Sequence, residues 1–287
     1  MQRYFCQKCR RKFQHQRRQS GLGEKLLNQY IWQRQTYSDL ASKYGKSAKW
    51  IQKKLDTVGV KSVVKLNPRP LTVVADVTFF SKTNGLIVFR EPNLKKNVWW
   101  KFVEYEKVDI YDCGKKHLEQ NGFVIQAIVL DGKPGVRQVF GDIPAQMCHF
   151  HQKQIVKRYL TLKPKLEAGR ELKLITEQLT DTDEQKFTNE LNCWYEKWRE
   201  FLKEKTVNPD TKRWCYKHKR LRSAYRSLTT NLPYLFTYQK YPGLFIPNTT
   251  NSLDGFFNIL KSKLNVHRGL NRVRAAKVIV GLLKGRN

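Results

Sequence analysis

The sequence has no run of about 18 apolar residues, which excludes a membrane-spanning helix. Its opening, MQRYFCQKCRRKF, carries no apolar segment, so no secretory signal is read there. Without such a signal the six cysteines, at 6, 9, 113, 148, 193 and 215, are expected to be reduced, and a disulfide framework is not expected. Acidic residues are scarce. There are 24 Asp and Glu against 55 Lys and Arg, a formal charge of +31. A solvated surface normally mixes signs, so this imbalance implies a polyanionic partner. No basic amphipathic anchor stands out, which disfavours an anionic membrane and favours nucleic acid in the cytoplasm. Aromatics are plentiful, with 7 Trp, 13 Tyr and 15 Phe, so the chain can bury a core. A length of 287 residues suits one large domain or two to three small ones.

The scarcity of acids is uneven. Residues 1–70 hold 17 Lys and Arg against Glu24, Asp39 and Asp56, and residues 255–287 hold 8 against none. The stretch Glu167–Glu204 is close to balance. Nucleic-acid contacts are therefore expected at both ends of the chain.

Cys6-x-x-Cys9, flanked by aromatic and basic residues, reads as one knuckle of a zinc ribbon. A ribbon needs a second ligand pair and no other C-x-x-C lies upstream; His15 alone leaves the site one ligand short. The alternative is a basic tail with two free thiols. Leu22–Leu55 reads as helical, with Gly45 splitting YSDLASKYG from KSAKWIQKKL. Leu40, Ala41, Tyr44, Ala48, Ile51 and Leu55 fit two short helices in a helix-turn-helix over residues 21–64. Lys46, Lys49, Lys53 and Lys54 would then face phosphates and a major groove. A plain helical hairpin with a solvated basic face is the competing account.

Lys65–Pro70 is a Pro-punctuated boundary. Beyond it the pattern predicts strands at Leu71–Phe80, Gly85–Phe89 and Val98–Glu106, and a helix at Asp109–Asn121. A strand at Phe123–Leu130, a short helix at Gly135–Phe140, a short strand at Ala145–Cys148 and a helix from Gln152 follow. That order is an α/β layer pattern and the order of a ribonuclease H-like fold. Residues 161–244 read as an all-helical insertion, and the Trp194, Trp198, Leu202 stripe as core packing. The α/β domain is expected to comprise 70–160 and 245–287, after a basic arm at 1–20.

Asp76 interrupts a very apolar strand and Asp131 ends another. A carboxylate in such a place is costly unless it is paired or binds a cation. Two divalent metals shared by such acids can clamp an in-line phosphoryl displacement, and hard cations such as Mg²⁺ or Mn²⁺ favour oxygen ligands. Asp131-Gly132 is also an ordinary turn pair. Asp254 lies in the first turn of an amphipathic helix and no acid follows it. There it suits the helix dipole, and Asn251 with Asp254 resembles a capping box. Leu253, Phe257, Leu260 and Leu264 form the apolar stripe, with Asp254, Asn258 and Lys261 beside it. Lys261, Lys263, His267 and Arg268 would hold phosphates.

Asp76, Asp131, CHFH at 148–151, the helical insertion and NTTNSLDGFFNILK at 248–261 together resemble a Mutator-like DDE transposase. The bacterial insertion-sequence relatives with an N-terminal zinc ribbon are the closer likeness. The resemblance covers essentially the whole chain. Cys148-x-x-His151 with the TTNSL-acid-GFF helix is the specific part of it. It implies a ribonuclease H-like core and two Mg²⁺ ions held by Asp76, Asp131 and Asp254. It also implies binding of double-stranded DNA at terminal inverted repeats, and a homodimer or higher oligomer on paired ends. Two features depart from the pattern: the third acid is Asp where Glu is usual, and the ribbon is half present. Cys148 and His151 are expected to pack and hydrogen-bond at a strand-to-helix turn. A non-cutting DNA-binding descendant of such an element is the alternative function.

Overall fold

A computed structural model describes residues 4–13, 21–59, 67–207, 210, 212–267 and 269–284. His15 and Arg268 fall outside them. Contacts divide the chain into two compact units, one of Met1–Ser62 with Leu260–Gly285 and the other of Val63–Ile259.

The first unit opens on a two-stranded ribbon, β1 (Tyr4–Phe5) and β2 (Lys12–Phe13), with Tyr4 opposite Phe13. Three helices follow, α1 (Leu22–Trp32), α2 (Tyr37–Tyr44) and α3 (Ala48–Asp56). The span expected to form two helices around Gly45 therefore contains a second break. Its cause is local: Thr36 and Asp39 form a capping box that starts α2 afresh. Gly45 ends α2 in the left-handed conformation at φ 59°, and the Ser47 hydroxyl accepts the Trp50 N–H to start α3. Leu26, Tyr30, Ile31, Leu40, Ile51 and Leu55 are buried.

The second unit is a mixed α/β layer. Its elements are β3 (Pro70–Ser81), β4 (Asn84–Glu91), β5 (Lys96–Val103), α4 (Val108–Gln120), β6 (Val124–Leu130), α5 (Val136–Phe140), β7 (Ala145–Met147) and α6 (His149–Leu160). The five strands run in the order β5-β4-β3-β6-β7. The three strands β5, β4 and β3 are mutually antiparallel, while β3–β6 and β6–β7 pair in parallel. Alternation along β3 sends Leu71, Val73 and Ala75 to one face, where they join Ile87, Phe89, Trp99, Tyr111, Leu118, Ile128 and Leu130. Thr72, Val74 and Asp76 lie on the other face. The β3–β6 register slips once: Leu71 is opposite Ile125, but Thr72 is opposite Ala127, so Gln126 is an extra residue in β6.

Gly114 is where α4 comes closest to the sheet. A Cβ there would stand 2.7 Å from both the Phe89 and Trp99 rings, with no flexible end to move aside. Gly114→Ala is therefore expected to destabilise the protein by about 1–3 kcal/mol despite the better helix propensity of alanine. Denaturant unfolding measures this, and an unchanged midpoint would show that α4 can retreat.

Residues 161–244 carry α7 (Glu167–Glu177), α8 (Glu184–Lys203), β8 (Lys205–Val207), β9 (Trp214–Tyr216), α9 (Lys219–Leu235) and α10 (Thr237–Lys240). Phe187, Leu191, Trp194, Leu202, Leu228 and Phe236 form their core, and the Trp194 indole donates to the Ala168 carbonyl at 2.9 Å. The expected stripe is thus packing. The all-helical expectation is corrected by the antiparallel β8–β9 hairpin. Each of its strands is three residues long, too short to show an alternation against the long helices around it.

The chain closes with α11 (Asn251–Val266) and α12 (Arg272–Lys284). In the second unit α11 buries Leu253, Phe256 and Phe257, and the Arg90 guanidinium lies 5.2 Å from the Phe256 ring centre. In the first unit the Lys263 ammonium donates to the Trp32 carbonyl at 2.7 Å. Arg274 pairs with Asp56 through two bonds of 3.0 and 2.8 Å, and Lys277 caps the last carbonyls of α3. Sequence alone grouped 245–287 with 70–160 in one α/β domain; by contacts, Leu260–Gly285 groups with the first unit. Among the described residues, no helix is long and apolar enough to cross a membrane.

Candidate active site

Asp76 owes its position to the pleat of β3. It lies beyond Val74, on the face opposite the apolar cluster, and its Oδ1 accepts the Val77 N–H at 2.7 Å. Asp131 follows the last residue of β6. The parallel register sets Val74 against Val129, so Asp76 and Asp131 each stand two residues past a paired couple. The two acids therefore stand level on adjacent strands, whose axes are about 4.8 Å apart. Asp131 Oδ1 accepts the Lys133 N–H at 3.0 Å in a turn made by Gly132 at φ 90°. That positive φ favours glycine, and a Cβ there would also press on the end of the Met147 side chain at 2.6 Å.

Asp254 comes from the first turn of α11. The cap of this helix differs from the expected Asn251–Asp254 box. Thr250 takes that role: its carbonyl accepts the Leu253 and Asp254 N–H groups, and its hydroxyl donates to Asp254 Oδ2 at 2.8 Å. Helix α11 begins at Asn251, one residue earlier than a cap at Asn251 requires.

The three acids share one electrostatic environment. Burial pushes the Asp76 carboxyl up to about 7, and the charges of Asp131 and Asp254 add to the shift. The Val77 N–H and the charge of His151 oppose it. Among the described residues, no three His, Cys, Asp or Glu side chains are gathered closely enough to hold a metal ion. The donor set itself, three carboxylates and no soft ligand, fits an oxygen-seeking divalent cation such as Mg²⁺ or Mn²⁺.

Cys148-x-x-His151 packs against the same turn. The Thr250 N–H donates to Cys148 Sγ at 3.3 Å, and the Thr250 Oγ1 lies 3.4 Å from that sulfur and 3.5 Å from His151 Nδ1. The His149 N–H adds a bond to the Asn248 carbonyl at 2.9 Å. The segment before α11 is thereby clasped to the β7–α6 corner, with Thr250 fully buried at its centre. The hydrogen bond with Cys148 raises His151 to about 9, against burial, and the carboxylates of Asp76 and Asp131 contribute. Burial alone would raise the Cys148 thiol, but its bonds to His151 and Thr250 outweigh that and lower it. His151 is thus a cation beside the acids at neutral pH. His149, two residues earlier, is the reverse case. It is buried between Phe236 and Tyr238, its Nε2 is 2.6 Å from the Leu235 carbonyl, and burial drops it to about 4.

Thr250 was missed because a threonine before a helix is an ordinary cap and its partners lie far upstream. The pair TT at 249–250, ahead of an acid four residues on, was the available signal.

The remaining predicted residues scatter. Lys46, Lys49 and Lys53 are exposed and Lys54 is half-buried, with Lys46 preceding α3 rather than lying on it. Lys261 is exposed. Lys263 is directed at the Trp32 carbonyl and ring, and His267 is buried, stacked on Tyr30 at 3.9 Å. His267 is therefore corrected from a phosphate contact to a packing residue, its imidazole lowered by burial. Cys6 and Cys9 lie in the β1–β2 turn, where the Cys9 and Lys8 N–H groups and the Cys9 thiol hold the Cys6 thiol below its ordinary value. A zinc ribbon would need two further ligands beside them. No family model matches the chain, and no curated protein matches it.

Proposed function

We propose that the protein is a DNA transposase of Mutator-like, insertion-sequence type, with a ribonuclease H-like core that cleaves and joins phosphodiester bonds. The observation that carries this is the buried Asp76 carboxyl, pushed up to about 7 by its burial and by the charges of Asp131 and Asp254, which come from two other elements. A structural role does not require three acids of like charge in such a place. The parallel β3–β6 pairing and the strand order β5-β4-β3-β6-β7 support the core assignment.

Bound divalent ions would polarise the scissile phosphodiester and activate the attacking oxygen. Asp76, Asp131 and Asp254 would be their ligands. Thr250 orients Asp254 through its hydroxyl, and the charged His151 offsets the acids. The shorter Asp254 reaches less far than a Glu, and the clasp fixes where it stands. Lys46, Lys49, Lys53 and Lys261 supply exposed cations for the backbone of element ends and target DNA, and a dimer would pair those ends. Cys6 and Cys9 would supply two of the ligands of a zinc ribbon.

The test is strand cleavage of labelled DNA from the regions flanking the coding sequence, with Mg²⁺ or Mn²⁺. Asp76→Ala and Asp254→Ala are each expected to abolish it, and full activity in either variant would sink the proposal. A second reading, a DNA-binding descendant that no longer cuts, is favoured by the absence of a gathered metal-ligand trio among the described residues. It predicts DNA binding without cleavage under every divalent ion.

A further inference from the structure

After Asp210 the next acid is Asp254, while eight Lys and Arg fall in residues 211–253. Seven of them lie between Lys212 and Arg226, on the β8–β9 hairpin and the first turns of α9. Several serve the fold. Lys217 pairs with Glu204 at 3.0 Å, Arg220 donates to the Arg158 carbonyl, and Arg222 donates to the Leu202 carbonyl. Lys219 and Arg226 do not: both are exposed, and neither the Lys219 ammonium nor the Arg226 guanidinium has a hydrogen-bond or ion-pair partner among the described residues.

Cations and aromatic rings interleave on this surface. The Lys205 ammonium sits 4.3 Å from the Trp214 ring centre. Trp214 meets Tyr216 edge-on at 5.6 Å, and Tyr216 lies under the Arg222 guanidinium at 3.7 Å. Trp214 is 60% exposed, an unusual position for the largest apolar side chain unless a partner covers it. The ladder runs into a cavity of about 460 Å³ lined by Tyr195, Tyr216, Lys219, Ser223, Arg226 and Thr229 among others, with no carboxylate. On α9 the residues Lys219, Ser223, Arg226 and Thr229 recur every three to four positions, along about 15 Å of one helix face.

A wall of hydroxyl, ammonium and guanidinium groups suits a ligand that offers only acceptor oxygens and negative charge, as a phosphodiester does. An exposed indole beside it offers a stacking platform for a base, which any base can use. We propose that this face of the insertion is a nucleic-acid-binding surface, with Lys219 and Arg226 taking backbone phosphates in the cavity and Trp214 stacking on a base. It shares with the proposed function only the partner. The acids play no part in it.

The experiment is fluorescence anisotropy of the full chain on labelled duplex and single-stranded oligonucleotides, in EDTA, between about 50 and 200 mM salt. Lys219→Glu combined with Arg226→Glu is expected to lower affinity by about tenfold or more and to reduce the slope of log K against log salt by about 2. Lys219→Gln with Arg226→Gln should give the same change in slope with a smaller loss. Trp214→Ala should weaken single-strand binding about tenfold and leave the slope unchanged. Lys82→Glu with Lys186→Glu, two exposed positions with the same net change, sets the baseline for charge alone. A loss at 219 and 226 no larger than this baseline, or an unchanged slope, overturns the proposal. So does unaltered DNA binding in a variant that has lost binding to phosphatidylserine vesicles. Because no divalent ion is present, a chain that never cleaves DNA still passes the test, and failure here leaves the cleavage assay untouched.

Discussion

Asp76→Asn is expected to stabilise the protein while ending cleavage. The folded chain raises this carboxyl from an ordinary 3.8 to about 7, with burial the largest cause and the neighbouring acids next. Between about pH 4 and 7 the folded form keeps the proton and the unfolded form has lost it, so stability falls as pH rises through that window. Above pH 7 both forms are ionised and the penalty is complete. Asparagine has no proton to lose, and its carbonyl can still accept the Val77 N–H. The variant should therefore gain about 2–4 kcal/mol at pH 8 in the absence of divalent ions, and nothing below pH 4. Cleavage should fall by about 10³-fold or more, as expected for removal of a group that acts on the reacting atoms. Mg²⁺ should raise the unfolding midpoint of the parent more than that of the variant. Urea unfolding at pH 4 and pH 8 reads the first effect. A variant no more stable than the parent at pH 8 would mean that Asp76 is not strained by its neighbours.

Thr250→Val is the second large effect. Valine keeps the shape and deletes the hydroxyl that donates to Asp254 and lies against Cys148 and His151. Asp254 Oδ2 loses its donor inside a half-buried corner, at an expected cost of about 1–3 kcal/mol. Cleavage should drop about 10–100-fold, the usual range when a group that orients a metal ligand is lost. Affinity for Mn²⁺, measured by calorimetry, should weaken in parallel. Thr250→Ser, which restores the hydroxyl, should recover most of both. A valine variant that cuts as fast as the parent would show that the clasp does not position Asp254.

How visible each feature was in the sequence depends on how local its causes are. The strands β3 and β6 were visible because apolar and β-branched runs bounded by Pro, Asn and Gly have few other conformations open to them. Asp76 was conspicuous for the same reason, as a charge set between VVA and VTFF. The β8–β9 hairpin was not, because KTV and WCY are too short to alternate and what holds them is pairing across a turn. Thr250 and His267 show the stronger limit. One is defined by a sulfur and an imidazole about a hundred residues upstream, the other by the Tyr30 ring near the opposite end of the chain. A pattern along one helix can show that His267 shares a stripe with Lys263. It cannot show that the stripe is covered.

The slip at Gln126 has a consequence for how this site can be lost or kept over generations. The extra residue is absorbed locally: Leu71 is opposite Ile125, Thr72 is opposite Ala127, and from there the pairing runs regularly to Val74 and Val129. A lineage that loses the Gln126 codon would close the pairing without the slip and keep Asp131 level with Asp76. One that loses a codon between Ala127 and Asp131 would shift that acid by one place and turn it toward the apolar cluster of Ala75 and Leu130, while every acid remains readable in the gene. Counting residues from Thr72 to Asp76 and from Ala127 to Asp131 therefore sorts intact copies from silent ones where a search for the three aspartates alone does not.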